Sequence, residues 1–145
     1  MHRICLNPGA IVETLNQNGA VSVIVSRYLP QIALGDKRVL LSGGKPVPYV
    51  LARVPQGGKV RGNLATGGKG VAMPISPRER EIAEALASIL AARGLLFVGL
   101  DVVGDCLTEI NVTSPTCTQE ITDQTGCDVA AILIDALEAV LAEAP

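Results

Sequence analysis

The sequence predicts an α+β fold, a mainly antiparallel sheet flanked by helices. Three observations carry that expectation: paired β-prone runs broken at glycine (Lys37–Leu41 with Lys45–Val54, and Leu96–Val112 broken at Gly104-Asp105), a helix start at Ser76, and an apolar-periodic C-terminal stretch from Asp128. At 145 residues one compact domain, residues 1–145, is the default, and folding removes roughly 70% of such a chain's surface from water.

In chain order, Asn7–Asn18 carries Ile11, Val12 and Leu15 at helical spacing and stops at Gly19, a residue suited to the left-handed end of a helix. Ala20–Arg27 is rich in β-branched residues and is expected to be a buried strand running into a connector, Tyr28-Leu29-Pro30. The runs Lys37–Leu41 and Lys45–Val54 should pair antiparallel through Ser42-Gly43-Gly44, because glycine takes the positive φ of a tight hairpin turn. Pro46 and Pro48 lack a ladder donor and suit the start of an edge strand, or positions where their nitrogens face away from a partner.

Ser76-Pro77-Arg78-Glu79 has the capping-box spacing with proline at the first helical position, and Ile82, Leu86, Ile89 and Leu90 form one stripe up to Gly94. In the last helix the Asp128 carboxylate serves as cap, and Ile132, Leu133, Leu137, Val140 and Leu141 are expected on the buried face.

Composition removes several functions. Twelve basic against 14 acidic residues give a formal charge of -2, and aromatics make up 2%, so there is neither a global attraction to nucleic acid nor a platform for stacked bases. The four cysteines, Cys5, Cys106, Cys117 and Cys127, form no C-x-x-C pair, and His2 is the one histidine, which argues against zinc. No apolar run approaches the ~18 residues that cross a bilayer, and a cytoplasmic setting with reduced thiols is expected.

Two segments carry chemistry. Pro55–Gly70, PQGGKVRGNLATGGKG, holds six of the 15 glycines, and its charges are Lys59, Arg61 and Lys69, with no acid between Arg53 and Arg78. Such a segment is expected to be mobile and to order around an anion, as a lid over phosphates does; a basic surface loop is the plain alternative.

In the second, Leu96–Val112, a three-residue loop Gly104–Cys106 would set Val103 against Leu107 and Asp101 against Glu109, gathering Asp101, Glu109 and Asn111 on one face and Leu100, Val102 and Ile110 on the other. A two-residue loop would pair Asp101 with Thr108 and mix charged with apolar residues, so the odd loop is favoured. Two carboxylates and an amide oxygen are hard ligands suited to Mg²⁺; a hairpin with one solvated polar face is the alternative.

The stretches GDKRVLLSGGKPVPYVLARVPQGGKVRGNLATGGKG and GLLFVGLDVVGDCLTEINVTSPTC closely resemble prokaryotic glutathione synthetases, members of the ATP-grasp fold. The likeness runs from about Ile11 to the last helix, and the ordered series R-x-P-Q-G-G, R-G-N-L-A-x-G-G and T-E-I-N-V-T-S-P-T-C is its most specific part. The resemblance implies the C-terminal ATP-grasp subdomain of an enzyme that uses ATP to join glycine to γ-glutamylcysteine through an acyl-phosphate.

By the same resemblance Asp101, Glu109 and Asn111 would hold Mg²⁺, or Mn²⁺ in its place. Arg38 and Arg53 would face the phosphates or acyl-phosphate, and the loop with Arg61 and Asn63 would close over the intermediate. The backbone of Tyr28 and Leu29 would meet adenine, and Ser114, Thr116 and Glu120 would lie toward the peptide substrate. Ser26 stands where the family often has glutamine. The N-terminal domain and the ATP-grasp lid of such an enzyme are not in these 145 residues, so negligible ligase activity is expected of the chain alone; relatives assemble as homotetramers.

Overall fold

The computed structural model describes residues 7–56 and 69–143. Its elements are α1 (Pro8–Leu15), a 3₁₀ turn (Pro30–Leu34), β1 (Asp36–Ser42), β2 (Lys45–Val54), β3 (Lys69–Pro74), α2 (Pro77–Ala92), β4 (Phe97–Val103), β5 (Cys106–Asn111), α3 (Thr118–Thr125) and α4 (Val129–Ala142). The five strands form one sheet in the order β3-β2-β1-β4-β5, every neighbour antiparallel, in agreement with the α+β expectation.

The β1–β2 hairpin turns on Gly43 and Gly44 (φ 55° and 72°), and a Cβ on either would press on a helix, at 3.0 Å from Ala136 of α4 or 3.2 Å from Ala91 of α2. Glycine is therefore required there twice over, by the backbone and by the helices that pinch the turn. Register runs from Ser42↔Lys45 and Leu41↔Pro46 to Val39↔Val50, so β2 carries two extra residues across Pro46-Val47-Pro48. The irregularity falls where two prolines withhold ladder donors. β2 is not an edge strand, but its pairing with β3 begins only at Tyr49, which leaves both prolines on an edge-like stretch.

Alternation along the strands separates two cores. Val39, Leu41, Val50, Val98, Leu100 and Val102 face α2, where Ala83, Ala87 and Leu90 close over them with Ile82 and Leu86. Leu40, Val47 and Leu51 face the other way, against Cys117, Ile121 and Val129 of the α3–α4 layer. The capping box at Ser76 and Glu79 is formed in both directions, and Asp128 accepts from Ala131 N at 2.9 Å.

Several expectations fail, those on burial because burial depends on what lies opposite. Ala20–Arg27 is not a strand; it begins in a turn, carries no regular structure after it and is exposed, with Ile24 96% and Val25 79% accessible. Among the described residues no strand flanks it, and an unpaired strand is not stable in water. α1 ends at Leu15 rather than near Gly19, with Gln17 and Asn18 already at positive φ. On α4 Ile132 and Leu133 are half-buried, while Leu137, Val140 and Leu141 are exposed; on α2 Ile89 is exposed and Ala83 and Ala87 take the inner face.

Besides the 3₁₀ turn, two elements were missed. α3 is polar and is bounded by left-handed residues, Cys117 and Gly126. β3 follows the glycine-rich stretch, and its open edge is gripped by Gln124 of α3, whose Oε1 accepts from Ala72 N at 2.9 Å and whose Nε2 donates to Gly70 O at 3.4 Å. No helix among the described residues is long and apolar enough to cross a membrane.

Candidate functional site

A row of charged side chains crosses the face of the sheet opposite α2. Asp36 and Arg38 are two residues apart on β1 and so leave the same face. Register sets Asp36 opposite Arg53 of β2 and Arg38 opposite Asp101 of β4. Asp101 lies opposite Glu109 of β5, and Gly99 opposite Asn111.

The expected loop and the expected pairing of Val103 with Leu107 were wrong, and the expected pairing of Asp101 with Glu109 right. The β4–β5 turn has two residues, with Val103↔Cys106 and Val102↔Leu107, and a bulge at Thr108 then restores Asp101↔Glu109 and Leu100↔Ile110. Thr108 Oγ1 donates to the Asp101 carbonyl at 3.0 Å, so the carbonyl beside the bulge keeps a partner. Leu100 and Val102 face the α2 core as expected, while Ile110 on the same side is 41% exposed.

Asp101, 4% exposed, is held by two arginines. Arg38 Nε and Nη2 donate to its two oxygens at 2.5 and 3.1 Å, and Arg53 Nη2 reaches Oδ2 at 2.9 Å. The same Arg53 Nη2 also donates to Asp36 Oδ2, so one nitrogen is shared between two carboxylates. Arg53 Nε and Asp36 Oδ1 are buried without a hydrogen-bond partner among the described residues, a shortfall that costs about 1–3 kcal/mol per group. Burial raises the Asp36 carboxyl above its ordinary value against the pull of Arg53, and the Asp101 charge adds to the rise. Burial works to lower the Arg53 guanidinium, but Asp36 and Asp101 outweigh it and hold the charge.

Asn111 Nδ2 donates to Asp101 Oδ2 at 3.4 Å. Glu109 is exposed and makes no ion pair among the described residues. Two carboxylates and a carboxamide oxygen are the hard donors that Mg²⁺ takes, and so few protein ligands suit a cation that keeps water and phosphate in its shell. The described residues contain no cluster of three His, Cys, Asp or Glu side chains able to hold a metal. The donor set fits such a cation with Glu109 open to it, whereas Asp101 and Asn111 must first loosen the contacts that now occupy them.

Of the remaining sequence-predicted residues, Ser114 and Thr116 flank Pro115, which stands with Arg38 over Gly99 beside this row. Tyr28 and Leu29 line a groove of about 320 Å³ with Ser26, Ile32, Val103 and Thr108. Ser114 is exposed at φ 44°, Thr116 is exposed with its hydroxyl 3.7 Å from Cys117 Sγ, and Glu120 is half-buried in the first turn of α3. Burial pushes the Cys117 thiol up, which keeps it protonated and inert. Arg61 and Asn63, with most of the glycine-rich segment, lie outside the described residues. Asp36 was missed. Its signal was available in the Asp36-x-Arg38 spacing, which places both side chains on one face of a strand.

A family model described as the ATP-grasp domain of prokaryotic glutathione synthetase matches residues 3–126. The glutathione synthetase of Ralstonia nicotianae is 61% identical over 133 residues, which cover 92% of this chain and 41% of that protein. That of Nitrosomonas europaea is 61% identical over 132 residues, 91% of this chain and 41% of the relative, and that of Pseudomonas aeruginosa 55% over 136 residues, 94% and 43%. The chain thus spans about two fifths of the length of these curated relatives. Among solved structures, the ATP-grasp ligase PsnB complexed with minimal precursor superposes at a TM-score of 0.50 with 17% identity, over 92% of this chain and 52% of that one, a likeness of fold alone.

Proposed function

From the premise that the chain belongs to the prokaryotic glutathione synthetase ATP-grasp family, we propose that it is the metal- and phosphate-facing part of a cytoplasmic ligase that joins glycine to γ-glutamylcysteine at the expense of ATP. The observation that supports this reading is the buried row Asp36, Arg53, Asp101 and Arg38, with unpartnered polar atoms inside it and Glu109 left open beside it. A purely structural ion-pair network satisfies its own atoms; here Arg53 Nε has no partner among the described residues.

In the reaction, the γ-phosphoryl of ATP passes to the glycyl-accepting carboxylate of γ-glutamylcysteine, ADP leaves, and the amine of glycine then displaces phosphate from the acyl-phosphate. Arg38 and Arg53 neutralise the transferred group, for which the planar fork of guanidinium is suited. Asp101, Glu109 and Asn111 are the residues that would hold Mg²⁺ or Mn²⁺, which would supply positive charge against the phosphates. The Tyr28-Leu29 backbone takes adenine, Ser114, Thr116 and Glu120 take the peptide, and Arg61 and Asn63 keep water from the acyl-phosphate. The rest of the ligand-binding wall, and the contacts of a homotetramer, belong to a protein of the relatives' full length.

Glu109→Gln in such a full-length protein is expected to lower kcat by several orders of magnitude with folding retained, because charge facing the phosphates is lost; an unchanged kcat removes Glu109 from the site. The 145-residue chain alone is expected to release negligible ADP with γ-glutamylcysteine and glycine, and turnover near that of a full-length relative overturns that expectation. Replacing γ-glutamylcysteine by glutamate as acceptor separates this ligase from other ATP-grasp amino-acid ligases. Calorimetric titration of the chain with Mg·ADP, repeated on Glu109→Gln, tests for a module that binds nucleotide without turnover.

A further inference from the structure

Gly99 interrupts the β-prone run of β4, FVGLDVV, two residues before Asp101. Its backbone is not in the left-handed region where glycine is needed, and glycine in a strand interior weakens it, so another reason must keep it there. The reason is space. A Cβ on Gly99 would stand 2.9 Å from Arg38 Nη1, 3.0 Å from Arg38 Cδ and 2.9 Å from Pro115 Cβ, at or below the closest approach of packed carbons.

Neither neighbour can yield without consequence. The Arg38 guanidinium is buried and bound through Nε and Nη2 to both oxygens of Asp101, so moving Nη1 breaks a bidentate pair. Pro115 sits on a turn whose preceding residue, Ser114, already holds a φ of 44° and whose end, Cys117, holds 86°.

We propose that Gly99 is a positioning residue: its missing side chain is the space over β4 in which the Arg38 side chain lies to meet Asp101, with Pro115 closing over the same spot. One atom's absence thus fixes the aim of the arginine and seats the Ser114–Thr116 turn against it. For its meaning in catalysis this rests on the ligase reading above; the seating of Arg38 is a property of the chain itself.

Nitrogen-15 NMR of the chain reads the Arg38 Nε–H, which the bond to Asp101 should shift and protect from exchange. In Gly99→Ala that resonance is expected to move to the position of a solvated arginine while the Val39 and Leu100 amides keep theirs, and the melting temperature should fall by roughly 5–15 °C. A folded Gly99→Ala with the Arg38 resonance unmoved overturns the proposal. Should Gly99→Ala not fold, the Arg38→Lys background decides, because lysine keeps the charge but has no Nη1. There Gly99→Ala is expected to fold, and failure to fold where Arg38→Lys alone does fold overturns the proposal. No readout involves nucleotide, so a failed Mg·ADP titration counts against the ligase reading and leaves this one standing.

Discussion

Lys37 and Arg38 are neighbours on β1 and point to opposite faces of the sheet, each into a largely buried carboxylate. Lys37 meets Glu79 of α2, whose other oxygen accepts from Ser76 N while Glu79 N is capped by Ser76 Oγ. The Lys37–Glu79–Ser76 group leaves no buried side-chain polar atom unpartnered. Arg38 meets Asp101, which shares Arg53 with Asp36, and there two buried atoms lack partners among the described residues. The first arrangement closes on itself and fastens a helix to a sheet. The second is satisfied only in part, as expected of a site whose groups have further ligands to meet.

The contrast is broken most readily at Asp101. Asp101→Asn leaves Arg38 without its carboxylate and Arg53 with Asp36 alone, and removing one partner from a buried pair is expected to cost about 3–5 kcal/mol. Urea unfolding measures it; a loss below about 1 kcal/mol would mean that water already screens the row.

Glu79→Gln should cost less, about 2–3 kcal/mol, because Lys37 is 26% accessible and can recover water while a glutamine keeps part of the cap. Here pH sharpens the test. Burial works to raise the Glu79 carboxyl, but hydrogen bonds from Lys37 and Ser76 outweigh it and hold the carboxyl below its ordinary value. A carboxyl depressed in the folded state contributes stability above its unfolded value and loses it as pH falls through the folded one. The gap between wild type and Glu79→Gln should therefore be widest above about pH 5 and narrow as pH falls through the lowered value of the folded carboxyl. A gap that stays constant with pH would mean the cap, not the charge, carries the difference.

How much of this was legible in the sequence differs between the two faces. The α2 side was read from local signals: the capping box at Ser76, the glycine turn before Lys45 and the apolar stripe all act within a few residues. The charged row was half legible. The sharing of a face by Asp101, Glu109 and Asn111 followed from alternation, although a two-residue turn plus a bulge at Thr108 replaced the three-residue loop and happened to give the same parity. Asp36 was missed because its partner is fixed by a register that shifts at Pro46-Val47-Pro48. The apolar runs at 20–25 and on α4 were expected inside because they are apolar, yet burial needs an opposing surface, which no local pattern supplies.

The smallest expected effect on stability separates the two carboxylates that face each other across β4 and β5. Asp101 is buried and engaged by cations, and Glu109 opposite it is exposed and engaged by none among the described residues. Removing the Glu109 charge relieves a like-charge pair and breaks no ion pair, so Glu109→Gln should shift stability by no more than about 0.5 kcal/mol. A side chain that folding does not need, beside one that folding cannot lose, is what the metal reading proposed above expects of Glu109. Destabilisation beyond about 1 kcal/mol in urea would show that Glu109 is part of the ion-pair row, and the open position that the metal reading requires would not exist.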